Sequence, residues 1–157
     1  VGCRKNEALA LQINDVKDGT VNIGKSITRK TLDGSAFKIT STKAYKVRKL
    51  PLCAPITAEL KEYLSGKDLA PDVFLFGNTL KPLAETSIDR AFRIYTEKAK
   101  VKKIRIHDLR HSFVSMLIHL GANLTVVADL IGDTLEQVTK TYGHMYETDK
   151  AEIIARI

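Results

Sequence analysis

The sequence predicts a mainly helical α+β domain with a small three-stranded antiparallel sheet at one edge. Two periodicities and one turn predict it. Val21, Ile23 and Ile27, then Phe37 and Ile39, alternate with polar residues, as strands with one buried face do. The segment Thr31-Leu-Asp-Gly-Ser35 between them carries the Asp-Gly pair of a hairpin turn. From Pro55 the apolar spacing lengthens to the helical period of about 3.6 residues, with Ile56, Leu60 and Leu64 on one side.

Each element follows in order. Residues Arg4 to Leu11 (RKNEALAL) are good helix formers and place Leu9 on an apolar face. The hairpin comes next. A third strand at Val47 to Leu52 completes the sheet, joined to the second through the short basic stretch Thr42 to Lys46. Pro55 occupies the first turn of the following helix, where its missing N–H costs nothing. Pro71 and the stretch Gly77 to Pro82 mark loops, and Thr86 to Lys100 is a second long helix bearing Ile88, Phe92 and Tyr95. A third helix, His107 to Leu120, ends at Gly121. Shorter helices follow at Asn123 to Ile131 and Leu135 to about Tyr142, and an amphipathic stretch, Asp149 to Ile157, closes the chain.

At 157 residues the chain is long enough for one domain with its own core. No apolar run approaches the roughly 20 residues of a membrane helix, and no signal peptide opens the sequence. Cys3 and Cys53 lack any CxxC or metal-ligand spacing and read as reduced thiols, which places the protein in the cytoplasm with no structural metal. The chain opens on Val1-Gly2-Cys3 without an initiator Met, so it is read as a fragment that has lost an N-terminal region. A net charge of +7 favours an anionic partner such as nucleic acid.

On the helix from His107, a step of about 100° per residue gathers Leu109, Phe113, Met116, Leu117 and Leu120 on one side. His107, Arg110 and His111 fall opposite. The reading is therefore one packing face and one face offering two imidazoles and a guanidinium to phosphate, for which arginine has a bidentate fork. Tyr142 stands near the end of a later helix. A phenol with a reference pKa of about 10 attacks at neutral pH only beside a base or strong positive charge. His107 and the arginines supply both.

The string HDLRHS, then G-D-x8-Y-x-H, preceded far upstream by GCRKNEALAL, resembles the catalytic domain of the tyrosine site-specific recombinases. That family includes phage and conjugative-transposon integrases and chromosome-dimer resolvases, and the likeness covers essentially the whole chain. It implies that residues 1–157 are a catalytic domain whose N-terminal DNA-binding region is missing. By the same resemblance Arg4 is the first catalytic arginine, with Glu7 supporting it. His107 and Arg110 match the H-x-x-R pair, Tyr142 matches the nucleophile, and His144 matches the histidine commonly following it. The family's lysine lies on the turn before the third strand, where Lys43 is the best fit and Lys46 the rival.

One position departs from the family pattern. Asp133 stands where most members carry His or Trp, and an ionised carboxylate repels a phosphate and donates nothing to it. Asp133 is kept among the catalytic candidates with its role open, orienting an arginine or histidine being one such role.

The mechanism implied is transesterification. Arg4 and Arg110 grip the non-bridging oxygens, Tyr142 attacks phosphorus with His107 helping to take its proton, and Lys43 protonates the departing 5′ oxygen. No ATP or metal is called for, since the arginines and lysine fill the electrostatic role of a cation. Lys46, Arg48, Lys102, Lys103, Arg105 and His111 are candidate DNA contacts, with the cluster 102–105 the most suggestive. Expected partners are double-stranded recombination sites and further copies of the chain, a tetramer on DNA at the bacterial nucleoid. The closing helix could pack at home or dock on a neighbouring protomer.

Tyr146 is a rival nucleophile outside the family spacing. Two further readings compete: a non-catalytic helix-turn-helix regulator built on Asn123 to Tyr142, and a type IB topoisomerase.

Overall fold

The computed structural model describes residues 1–29, 31–32, 34–41, 47–77, 79–146 and 154–155. Among these, six α-helices accompany five short strands, the expected mixed and mainly helical architecture. Helix α1 (Lys5–Leu9) is one short turn-rich segment that buries Glu7 and Leu9. Strands β1 (Val16–Lys17), β2 (Thr20–Ile23) and β5 (Arg48–Pro51) form an antiparallel three-stranded sheet in the order β1-β2-β5. Strands β3 (Lys25–Thr28) and β4 (Lys38–Ser41) form a separate hairpin, with Ile27 opposite Ile39.

The expected three-stranded antiparallel sheet is present, but the hairpin lies outside it. The hairpin is present, but the third predicted strand pairs with β2, in the register Val21–Leu50 and Ile23–Arg48, and leaves β4 alone. The sequence pattern from Val21 to Ile27 looks continuous, yet the ladder breaks at Gly24, between β2 and β3. The first half then serves the three-stranded sheet and the second half the hairpin.

The helices follow as α2 (Ala54–Leu64), α3 (Glu85–Lys98), α4 (Asp108–His119), α5 (Leu124–Ile131) and α6 (Leu135–Tyr142), the last running into a 3-10 turn, Gly143–Tyr146. Pro55 lies in the first turn of α2, as expected. Asn123 caps α5, its side-chain oxygen accepting from the Val126 N–H at 2.9 Å, and Thr134 caps α6 the same way on Gln137. The expected closing helix lies largely outside the described residues.

Three apolar clusters hold the fold. Val114, Ile118, Val127, Ala128, Ile131 and Val138 join α4, α5 and α6. Leu11, Val21, Ile23, Leu50 and Leu75 form the sheet's inner face, and Leu130 of α5 packs on it, tying the helical half to the sheet. Leu9, Ala10, Ile27 and Phe74 join α1 to the hairpin.

Helix α4 is rotated from the sequence expectation, with Phe113 and Leu117 of the expected face packing at the edge of the core. Its buried residues are Arg110, Val114 and Ile118, whereas Leu109, Met116 and Leu120 are 47%, 50% and 71% exposed. Val114 and Ile118 stand on the same side of the helix as Arg110, and apolar residues surround most of it. A single amphipathic stripe therefore cannot be read from α4. Burial of Val114 and Ile118 against α5 and α6 draws Arg110 inward with them.

Candidate active site

The site is built where the N-terminus, β5, the α5–α6 turn and α4 meet. Glu7 is 2% exposed and carries the first layer of contacts. Its carboxylate accepts from the Arg4 backbone N–H at 2.9 Å, from Arg4 Nη1 at 3.2 Å and from Arg48 Nη2 at 2.7 Å. A carboxylate this deeply buried is tolerable only with opposite charge and donors around it, and two guanidinium groups provide both.

Arg48 is 5% exposed, which corrects its reading as a DNA contact. Besides Glu7, it donates through Nη1 to the Leu130 carbonyl at 3.0 Å, satisfying an orphan acceptor near the C-terminus of α5. The clue was present in the strand itself. β5 alternates inward and outward, so a buried Leu50 puts Arg48 on the same inner face. Gly132 ends α5 in the left-handed region at φ 66° and makes room for this arginine, since a Cβ there would lie 2.6 Å from the guanidinium carbon.

Asp133 follows at once. Its Oδ1 accepts from Arg4 Nη2 at 2.9 Å and its Oδ2 from Arg110 Nη2 at 2.8 Å, so one carboxylate bridges the two arginines. Arg4 Nη1 also reaches the Gly132 carbonyl at 3.3 Å, and Arg110 Nη1 the Gly2 carbonyl at 2.7 Å. Gly2 sits at φ 60° with Phe113 so close that any Cβ would strike its ring at 2.3 Å. Guanidinium groups separated by most of the chain thus converge on two oxygens of one anionic group. A phosphodiester offers the same pair of non-bridging oxygens.

Tyr142 closes the ring of groups at the end of α6. Its ring packs on the α4–α5–α6 core, and its hydroxyl lies 2.5 Å from Nδ1 of His111. Burial pushes the phenol above its ordinary value, the charge of Arg110 pulling it down and that of Asp133 adding to the rise. The phenol is therefore a neutral O–H at neutral pH. His107 stands exposed at the N-terminus of α4, its ring edge-to-face with His111 at 5.2 Å. Partial burial lowers its pKa, and the charges of His111, Arg110 and Arg105 add to the effect, so it is a neutral imidazole.

Of the residues expected to form the site, Arg4, Glu7, Arg110, Asp133 and Tyr142 come together, with His107 at its edge. A cleft of about 360 Å³ between α1 and the β3–β4 hairpin has Arg4, Ser26, Thr40 and His107 among its walls. His144 is exposed on the turn after Tyr142. Lys102, Lys103 and Arg105 are exposed ahead of α4, where Arg105 pairs with Asp108 at 2.7 Å. Lys43 and Lys46 lie outside the described residues. His111, expected as a DNA contact, meets the phenol that His107 was expected to serve. The unit α5–Gly132–α6 has the helix–turn–helix order, but its inner face is occupied by α4.

A sequence profile described as the phage integrase family matches residues 1–149. The chain belongs to the phage integrase family. A tyrosine recombinase of Pseudothermotoga lettingae is 33% identical over 121 residues, covering 76% of this chain and 42% of the relative. The integrase of Staphylococcus phage L54a is 30% identical, covering 97% of this chain and 47% of the relative. The chain thus spans less than half the length of these relatives. Among solved structures, the Tn1549 transposon integrase in complex with circular intermediate DNA superimposes with a TM-score of 0.80 at 19% identity, over 99% of this chain and 55% of that one. The XerA recombinase gives 0.69 at 21% identity, over 95% and 52%. At such identities these structures establish the fold.

Proposed function

We propose that this member of the phage integrase family is the strand-transferring part of a site-specific DNA recombinase, which cuts and rejoins DNA through a 3′-phosphotyrosyl link. The bridge from Arg4 through Asp133 to Arg110 is the observation that carries the reading. Asp133 holds the two guanidinium forks on one carboxylate, and their remaining N–H groups take the non-bridging oxygens. Charge developing on the pentavalent phosphorus is then offset by donors already in place. Tyr142 attacks the phosphorus, the P–O5′ bond breaks, and Lys43 supplies the proton to the departing oxygen. Bond energy stays in the protein–DNA link, so a 5′ hydroxyl from a partner strand reverses the step without a nucleotide.

Lys46, Lys102, Lys103 and Arg105 follow the DNA backbone, and His144 supports the phosphate from the turn after Tyr142. The complete protein acts at paired double-stranded sites as a tetramer, in the cytoplasm at the nucleoid. The relatives support this reading. They include recombinases and integrases, one of them solved with circular intermediate DNA.

A nicked suicide duplex tests the proposal. The complete protein should form a covalent adduct that survives a denaturing gel, and Tyr142→Phe should form none while still binding DNA. An adduct that persists in Tyr142→Phe removes Tyr142 from the role.

A further inference from the structure

We infer that His111 holds the Tyr142 phenol in place and takes its proton as the phenol attacks phosphorus. The inference rests on Tyr142 being the nucleophile, and it reassigns a step that the sequence gives to His107. Geometry decides between the two histidines. Nδ1 of His111 lies 2.5 Å from the phenol oxygen, and the ring centroids are 5.8 Å apart. His107 touches His111 edge-on at the exposed mouth of α4, and among the described residues it makes no contact with the phenol.

The helix dictates this division of labour. Arg110 and His111 are consecutive, hence about 100° apart around α4. One side chain turns into Asp133 and the other turns toward α6. Val114 and Ile118, packed against α5 and α6, fix the helix rotation that sends each to its place. The phenol's own ring is anchored in the same cluster, so its oxygen has little freedom to seek another base.

Chemistry requires such a base. A phenol whose ionisation burial has made harder does not attack as a phenolate at neutral pH, so a proton acceptor must touch it. The charged and titratable groups facing His111 are His107, Asp108 and Arg110 on its own helix, Tyr142 on α6, and Asp133 beside Arg110. Of these, only Tyr142 is within hydrogen-bond distance of the imidazole among the described residues. With the proton on Nε2, Nδ1 accepts from the phenol O–H. As the tyrosyl O–P bond forms, that proton passes to Nδ1. The P–O5′ bond breaks and the leaving oxygen takes its proton from Lys43. In rejoining, the 5′ hydroxyl attacks as its proton returns to Lys43, the tyrosyl O–P bond breaks, and His111 returns its proton to the phenolate.

The test is single-turnover adduct formation by the complete protein on a suicide duplex, with DNA affinity measured in parallel. His111→Ala should lose about 10²- to 10⁴-fold in rate, the range for removing a general base, with affinity unchanged. Free imidazole should restore at least tenfold of that loss. His111→Gln keeps a hydrogen-bonding side chain of similar reach but cannot carry the proton. It should bind DNA normally and stay as slow as His111→Ala, and it serves if the alanine variant folds poorly. Wild-type rates in either variant, or a loss in His111→Ala that imidazole does not relieve, overturn the proposal. Tyr142→Phe separates the two readings: an adduct there defeats the nucleophile assignment, whereas no adduct there with a fast His111→Gln defeats this inference alone.

Discussion

Glu7 and Arg48 set the cost of building the site. The carboxylate and the guanidinium, with side chains 3% and 4% exposed, meet at 2.7 Å, and each has been taken out of water to do so. Breaking one partner of such a pair leaves an uncompensated buried charge. Arg48→Ala should therefore destabilise the protein by about 3–5 kcal/mol in urea unfolding. Arg48→Lys should recover little, because a single ammonium cannot reach both Glu7 and the Leu130 carbonyl as the fork does. His107 carries a prediction of its own. Its folded pKa lies below the ordinary 6.5, so the unfolded chain binds more protons in that range and stability rises with pH. Acidification from neutral pH through the unfolded value toward the lower folded one should weaken the fold. His107→Gln should flatten that dependence, and an NMR titration of the His107 ring should give a midpoint below 6.5.

At the scale of elements, α4 is the informative case. Ile118→Ala removes a side chain only 7% exposed from the α4–α5–α6 cluster and should cost about 2–5 kcal/mol. Leu120→Ala, at 71% exposure, should change stability by no more than about 0.5 kcal/mol. The reverse ranking would restore the orientation expected from the sequence. Helix positions and the presence of the hairpin were legible because alternation, Pro55 and Asn123 act locally. The rotation of α4 was not, since apolar residues on nearly every side leave packing partners from α5 and α6 to decide it. The division into a three-stranded sheet and a separate hairpin was not legible either, since it depends on a break at Gly24 that alternation does not reveal. In the candidate site, motif spacing singled out Arg4, Arg110 and Tyr142, and the fold brings the three together. The burial of Arg48 was recoverable from strand alternation, whereas the contact between His111 and Tyr142 needed the relative placement of two helices.

The molecule as a whole carries +7 charges, and exposed Lys102, Lys103 and Arg105 precede the helix that bears Arg110. If these groups lie along a DNA backbone, log K should fall linearly with log salt. Replacing both Lys102 and Lys103 by alanine should reduce the slope by about 2 with little change in sequence preference, as read by fluorescence anisotropy on the complete protein. The route from Arg48 through Glu7, Arg4, Asp133 and Arg110 back to the Gly2 carbonyl has a further consequence. It joins Gly2, Arg4 and Glu7 to Arg110 and Asp133, up to 129 positions further along the chain. A polypeptide cut before Asp133 therefore lacks the bridge, and Arg4 and Arg110 lose the carboxylate that holds them together.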